Sequence, residues 1–206
     1  MEQQATALSE QPLGQPQAPP TAKPRRTKAV LAAASVFVLT AVGVVGFWFH
    51  NQATLQKPLY EVLEADSRNK NVHAQAHYDG WFDTETVVFN LSDVSGESSS
   101  LDIFRVFLQF AQSQKEHEYK EVILAAYGEK KFVVPGDYFH ELGAEYSTQN
   151  PMYTIRTFPH HVSTMTGEHP FPEYTGGIFG VLGKEMDEFK QMNEQWYMDD
   201  YKAKDK

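Results

Sequence analysis

The fold is decided by residues 101–115, LDIFRVFLQFAQSQK, an apolar stretch whose large side chains recur at helical spacing. The face that this spacing defines consists of Leu101, Phe104, Leu108 and Ala111, widened by Phe107 and Phe110. Ser99 and Asp102 approximate a capping box at its start. A helix with so broad an apolar face is expected to be buried against a sheet.

Strand-like segments lie on both sides of this helix. Before it, residues 86–91 read TVVFNL, rich in β-branched and aromatic side chains. After it come EVILAAY at 121–127 and KFVV at 131–134, separated by a short turn at Gly128–Glu129. We therefore predict a strand, a helix and a β-hairpin in succession.

Further elements follow towards the C-terminus. Asp137 can cap a helix over 137–146, MYTIRTF at 152–158 alternates like a strand, and an apolar stripe predicts a helix over 184–197. The order β-α-β-β-α-β plus a C-terminal helix predicts an α+β fold with an antiparallel sheet, ferredoxin-like in topology. Another α+β arrangement of the same elements is the alternative. The outline is similar to periplasmic domains of single-span secretion-assembly proteins, an analogy of fold that implies no activity.

Residues 29–49, AVLAAASVFVLTAVGVVGFWF, form an uncharged apolar segment. As a helix its 21 residues extend roughly 31 Å, the thickness of the hydrocarbon core of a bilayer. Aromatic residues at 47–49 are typical of a membrane interface. The alternative, a cleaved signal peptide, is disfavoured because the apolar run is longer than usual and no good cleavage site comes after it.

The flanks of this segment predict its orientation. Lys23, Arg25, Arg26 and Lys28 precede it, whereas Lys57 is the first lysine or arginine after it. The positive-inside rule then places the N-terminus in the cytoplasm and the C-terminal domain outside. Because an outer domain without cysteine is unusual in a eukaryotic secretory lumen, we expect a bacterial inner membrane and a periplasmic domain.

These features divide the chain into five parts. They are a disordered cytoplasmic tail (1–28), a transmembrane helix (29–49), a membrane-proximal linker (50–83), an extracytoplasmic α+β domain (84–200) and a flexible tail (201–206). Four of the 18 basic and two of the 27 acidic residues precede residue 50, so the remainder has 14 and 25 and a net charge of −11. Such a domain repels phosphate backbones, so nucleic acid is not an expected partner.

Three charged residues are the candidate ligand-binding group. Glu141 and Glu145 share one face of the predicted helix 137–146, and Arg156 lies in the middle of the predicted strand 152–158. Carboxylates above a strand arginine could form a polar pocket. The alternative is a structural salt bridge. No catalytic residue is assigned, because no complete catalytic constellation occurs in the sequence.

Histidines supply the candidate metal ligands. His160 and His161 are adjacent after Pro159, and His169 is nearby, so a loop cluster could bind zinc or copper. Solvated loop histidines are the competing interpretation. The glycine-rich segment 176–184 does not match a P-loop or a dinucleotide fingerprint, and no cofactor is expected.

The sequence thus predicts a single-pass membrane protein whose acidic outer domain is a protein-interaction or assembly module, with another membrane or extracytoplasmic protein as partner. The alternative is an anchored enzyme, or a small-ligand or metal binder, that uses the polar stretch 138–161. A pocket in which these polar groups converge would favour the alternative. A filled sheet face would not.

Overall fold

A long apolar helix opens the part of the chain that the computed structural model describes, namely residues 25–81, 83–94, 98–173 and 178–204. Helix α1 spans Arg25–Asn51, passes into a π-helical turn at Gln52–Gln56 and continues as α2, Lys57–Ala65. Within the described residues this is the one helix long and apolar enough to cross a membrane. Of the predicted tail, residues 1–24 lie outside the described residues, and 25–28 belong to α1.

The chain divides into two units, Met1–Val42 and Gly43–Lys206. The second unit contains all the strands described and the remaining helices. Its helices are α3 (Ser100–Ser113), α4 (Gly136–Glu145), α5 (Pro151–Thr157), α6 (Ile178–Asn193) and α7 (Asp199–Lys204). Short 3₁₀ turns at Ser67–Asn69 and Phe158–His161 and a π-helical turn at Glu194–Met198 complete it.

One mixed sheet has its strands in chain order. They are β1 (Val72–Tyr78), β2 (Thr86–Val94), β3 (Glu121–Ala126), β4 (Glu129–Pro135) and β5 (Ser163–Thr164). β2 and β3 are parallel, and the other neighbouring pairs are antiparallel. The prediction of α+β structure is confirmed, but the prediction of an antiparallel sheet is wrong. Because α3 carries the chain back along the sheet to the end where β2 begins, β3 begins at that same end and runs parallel to β2.

Local signals in the sequence place the central elements correctly. The Ser99 side chain accepts from the Asp102 backbone N–H, and the Asp102 carboxylate accepts in return, so the capping box is confirmed. The hairpin β3–β4 is confirmed too, but its two-residue turn is at Tyr127 (φ 53°) and Gly128 (φ 85°), one residue earlier than predicted, and Glu129 already belongs to β4. Positive φ at both positions matches the right-handed twist of the strands.

The C-terminal end returns to this turn. The ammonium group of Lys204 lies 3.4 Å from the centroid of the Tyr127 ring, a cation–π contact. Residues 201–204 of the predicted flexible tail are therefore part of α7, whereas residues 205–206 lie outside the described residues.

Aromatic rings fill the space between the sheet and the helices. The fully buried members are Phe89, Phe104, Phe107, Phe110, Phe139, Phe158 and Trp196. Trp196 packs against the rings of Phe89 and Phe107, and its indole N–H donates to the carbonyl of Ala125 at 3.1 Å. The C-terminal helical segment is thereby fixed to the centre of the sheet.

The predicted strand 152–158 is helix α5, so the ferredoxin-like topology is not confirmed. Asn150 caps the helix by accepting from the Met152 backbone N–H, and Pro151 occupies the first turn. The buried residues Thr154, Ile155 and Phe158 lie at helical spacing. Tertiary packing thus overrides the alternation that the sequence displays at these positions.

Residues 50–83, the predicted linker, contribute α2 and β1 to the folded unit. The side-chain oxygen of Gln56 accepts from the Ala76 backbone N–H, and that of Asn51 accepts from the Tyr78 N–H, both at 2.9 Å. β1 is an edge strand, and these amides satisfy two of its free donors. The helix therefore takes the place of a further strand at this edge.

Two glycines give a test of the helix packing. A Cβ on Gly143 of α4 would overlap the carbonyl of Ala111 in α3, whereas one on Gly183 of α6 would meet nothing within 4 Å. We expect Gly143→Ala to lower the free energy of unfolding by about 1–3 kcal/mol. We expect Gly183→Ala to raise it by up to about 1 kcal/mol, because alanine favours helix. Denaturant unfolding of the full-length protein in detergent measures both, and equal effects would contradict the close α3–α4 contact.

Candidate functional site

A cavity of about 540 Å³ opens between α3, α4 and α5. Its volume is within the range of ligand-binding pockets. The apolar residues of the lining are Leu101, Phe104, Leu108, Tyr138, Leu142, Tyr146, Pro151, Tyr153 and Ile155. Its polar residues are Arg68, Arg105, Glu141, Glu145, Gln149, Thr154, Thr157 and His161. Much of the predicted polar stretch 138–161 therefore does meet in a cavity.

The apolar lining has a buried floor and an exposed rim. Phe104 and Leu108 of α3 and Leu142 of α4 are buried because they also belong to the core. Leu101 and Tyr153, by contrast, are 52% and 53% exposed. A rim of half-exposed large apolar side chains around a concave floor is a surface suited to binding.

Helix α4 brings the two predicted glutamates to the cavity. Glu141 and Glu145 are four residues apart, so both side chains lie on the face of α4 that lines the cavity. Glu145 accepts a hydrogen bond from the Gln149 side chain at 2.9 Å. Among the described residues neither glutamate has an ion-pair partner within 4 Å.

The two arginines of the cavity, which the sequence did not single out, are already paired. Arg68 contacts the Asp66 carboxylate at 2.6 Å, and hydrogen bonding from Arg68 holds the pKa of Asp66 far below its usual range. Arg105 lies 2.8 Å from the carboxylate of Asp102 and donates to the side chain of Asn69. The unpaired charge in the lining is therefore negative.

His161 closes one side of the cavity by stacking on Tyr138. The ring centroids are 3.9 Å apart and the planes are inclined by 16°. Burial lowers the pKa of His161, and the charge of Glu141 opposes this only in part. Burial also raises the pKa of Tyr138. Both shifts favour the neutral ring, and the stacked pair forms a flat, partly apolar wall.

Arg156 does not join Glu141 and Glu145. It is absent from the cavity lining, and its Nε donates to the carboxylate of Glu185 in α6 at 2.6 Å. The Glu185 side chain is only 9% exposed. Because residues 152–158 form a helix rather than a strand, Arg156 points to α6 and makes a structural salt bridge, the alternative to its predicted role in ligand binding.

The three candidate metal ligands also separate. The His160 Nε2 lies 2.9 Å from a carboxylate oxygen of Glu188, with both side chains nearly buried. His161 stacks on Tyr138, and His169 is exposed. Within the described part of the chain, no group of three or more His, Asp or Glu side chains is placed to hold a metal ion. The structure gives the metal hypothesis no support.

Two buried glutamates of α6 were missed in the sequence. Glu185 and Glu188 are three residues apart on one helical face, opposite Arg156 and His160, which are four apart. An acidic residue on an amphipathic helix is usually taken for a solvent-facing one. The same helix includes Gly180 and Gly183, so this part of the glycine-rich segment is helical, while Gly176 and Gly177 lie outside the described residues.

Comparison with family models, curated proteins and solved structures finds no match to this chain. The buried apolar floor of the cavity can take an aliphatic or aromatic group, and its unpaired carboxylates can take a cation beside that group.

The role of Arg156 can be tested by truncation. We expect Arg156→Ala to lower the free energy of unfolding by about 1–3 kcal/mol, because Glu185 is left buried without its partner. Lys57→Ala breaks the exposed pair with Glu61 and is the control, with an expected effect below about 0.5 kcal/mol. Denaturant unfolding measures both. Unchanged stability in Arg156→Ala would show that its contact with Glu185 is not structural.

Proposed function

We propose that the protein is a single-pass membrane protein whose acidic α+β domain, on the extracytoplasmic side, binds a segment of a partner protein. The apolar segment 29–49 lies within α1, and the most apolar 18 residues of the candidate span Val36–Ala65 include no buried residue. This supports a lipid-facing helix over the core helix of a soluble protein. Basic residues ahead of the segment support a cytoplasmic N-terminus, and the lack of cysteine supports a bacterial inner membrane.

Retention of the helix, rather than cleavage as a signal peptide, is supported by the residues directly after the apolar segment. The helix continues without interruption into α2, and Leu55 and Leu59 are completely buried in the core. Asn51 and Gln56 complete the edge of β1. Cleavage between residues 49 and 59 would therefore remove parts of the folded domain.

The observation that carries the binding function is the cavity with its apolar rim. A concave floor alone suits a small molecule, but Leu101 and Tyr153 at its rim are each more than half exposed. Such a patch is stabilised when a partner covers it. The depth of the floor suits an apolar side chain as an anchor residue of that partner.

Charge defines the rest of the partner segment. Arg68 and Arg105 are paired with aspartates, whereas Glu141 and Glu145 are available at the cavity. The domain as a whole is also strongly acidic. We therefore propose a segment that has an apolar anchor residue next to a lysine or arginine, attracted by long-range charge and held by the carboxylates.

Site-specific photocrosslinking in intact membranes tests the location of the interface. The photoreactive residue p-benzoylphenylalanine replaces Tyr153 at the cavity rim or, as a matched control, Tyr60 of α2, which has nearly the same exposure. We expect a discrete crosslinked product from position 153 and none from position 60, because only Tyr153 lines the cavity. The same product from both positions, or none from position 153, would contradict the proposal.

Charge reversal tests the chemistry of the partner. In the protein with the photoreactive residue at 153, we expect Glu141→Lys with Glu145→Lys to reduce the product by about tenfold or more, since attraction becomes repulsion. Glu64→Lys, at an exposed position of α2 outside the cavity, is the control and should leave the yield unchanged. An unchanged yield in the double variant would exclude a cationic partner segment.

A small organic cation is the second candidate ligand, favoured by the cavity volume of about 540 Å³. Fluorescence polarisation with rhodamine 6G, an aromatic cation, measures this with the full-length protein in detergent. Saturable binding that the double charge reversal removes and Glu64→Lys retains, without a crosslink from position 153, would favour the small ligand over the protein segment.

A further inference from the structure

Aromatic side chains connect α1 with the β1–β2 loop. The ring of Phe47 lies 5.7 Å from that of Trp81 in the loop and 6.1 Å from that of Tyr78 at the end of β1. The imidazole of His50 stacks on Tyr78 at 5.5 Å, with the planes inclined by 9°. These four residues, here called the aromatic junction, all belong to the unit Gly43–Lys206.

The outer side of the aromatic junction is exposed. Trp81 is 59% exposed, although an indole of this size is usually covered in a folded domain. Trp48 and Phe49, which directly follow Phe47, are 55% and 61% exposed. Consecutive helix residues point in different directions, so these rings surround the end of the apolar segment, as interfacial aromatic residues do.

We propose that Trp81 is inserted in the interfacial layer of the bilayer, at the depth of Phe47, and seats the folded domain on the membrane. This inference rests on the proposed membrane anchor. Phe47 is part of the apolar segment. Because the ring centroids of Phe47 and Trp81 are 5.7 Å apart, the indole lies close to the depth of Phe47 in the bilayer. An indole has an apolar body and a polar N–H, the combination that favours the headgroup region over hydrocarbon or water.

Charges around Trp81 define the layer that it reaches. The carboxylate of Asp79 is paired with Lys130, and that of Asp83 accepts from the backbone N–H groups of Glu85 and Thr86. Protein groups thus already bind both carboxylates that flank the tryptophan. The loop can approach neutral headgroups, whereas the charged residues keep it out of the hydrocarbon core.

The junction is held rigidly from behind. Asn51 and Gln56 bind the backbone of β1 at Tyr78 and Ala76, so the helix cannot slide along the strand that leads to Trp81. A bilayer that holds Phe47 therefore also determines the position of Trp81.

Tryptophan fluorescence tests whether Trp81 lies in the interfacial layer, because the chain has only three tryptophans and Trp196 is completely buried. The full-length protein is reconstituted in phosphatidylcholine vesicles with bromine atoms either near the headgroup end or near the methyl end of the acyl chains. The variants are Trp48→Phe, Trp81→Phe and the double variant, which retains only Trp196. The emission maximum of Trp196 in the double variant reports that the core is intact.

In the Trp48→Phe variant we expect bromine near the headgroups to remove about half of the Trp81 emission, and bromine near the methyl ends to remove much less, because indole prefers the interface. The double variant should be quenched little, since Trp196 is shielded inside the protein.

The two single variants distinguish failure of the proposed Trp81 insertion from failure of the membrane anchor. Quenching in Trp81→Phe, which retains Trp48, with none beyond the double variant in Trp48→Phe, would show that the helix is inserted and Trp81 is not. That result would overturn the proposal that Trp81 lies in the interfacial layer. Trp81 would then contact water or a protein partner. No quenching beyond the double variant in either single variant would overturn the membrane anchor and the proposed Trp81 insertion together.

Discussion

The domain depends on the burial of α3 on two sides. Phe107 and Phe110 face the sheet and the ring of Phe89, while Ala111 lies against α4 so closely that only glycine is accommodated at position 143. The remaining side of the helix, with Leu101, Arg105 and Leu108, is left to line the cavity. A helix with a narrower apolar face would complete the sheet packing but would leave no apolar floor for a site.

The sequence predicts those elements whose signals are local. A capping box at Ser99, a wide apolar stripe behind it and a β-branched run followed by a tight turn depend on near neighbours along the chain, and the structure confirms each of them. The strand β1 was missed because its inward side chains include Ala74 and Ala76, whose β propensity is low. Its place in the sheet depends on Gln56 and Asn51, which are 20 and 27 residues away.

In the candidate site, too, the residues that local signals place can be predicted, and those that tertiary packing places cannot. Glu141 and Glu145 are brought together by the period of one helix, a property that the sequence displays directly. The prediction that Arg156 lies opposite these glutamates depends on a strand over 152–158. Because residues 151–157 form a capped helix, Arg156 instead contacts Glu185 and is not part of the cavity lining. Asp66 and Asp102 lie two and three residues before Arg68 and Arg105, so the spacing of both ion pairs is local. The hydrogen bond from Arg105 to Asn69, by contrast, depends on the position of the 3₁₀ turn Ser67–Asn69 beside α3.

The sign of the charge on the domain links the two proposals. A net charge of −11 after residue 49 disfavours attraction to anionic headgroups, so the proposed contact with a bilayer relies on neutral amphipathic rings rather than on lysine or arginine. The aromatic junction has such rings, and the carboxylates near it are bound by protein groups. At the cavity the same negative charge favours binding, because carboxylates without an ion-pair partner are stabilised by a cation that a ligand supplies. One surface is thus suited to neutral lipid and the other to a cationic segment. Near the aromatic junction Asp79 is paired with Lys130, whereas among the described residues Glu141 and Glu145 have no ion-pair partner.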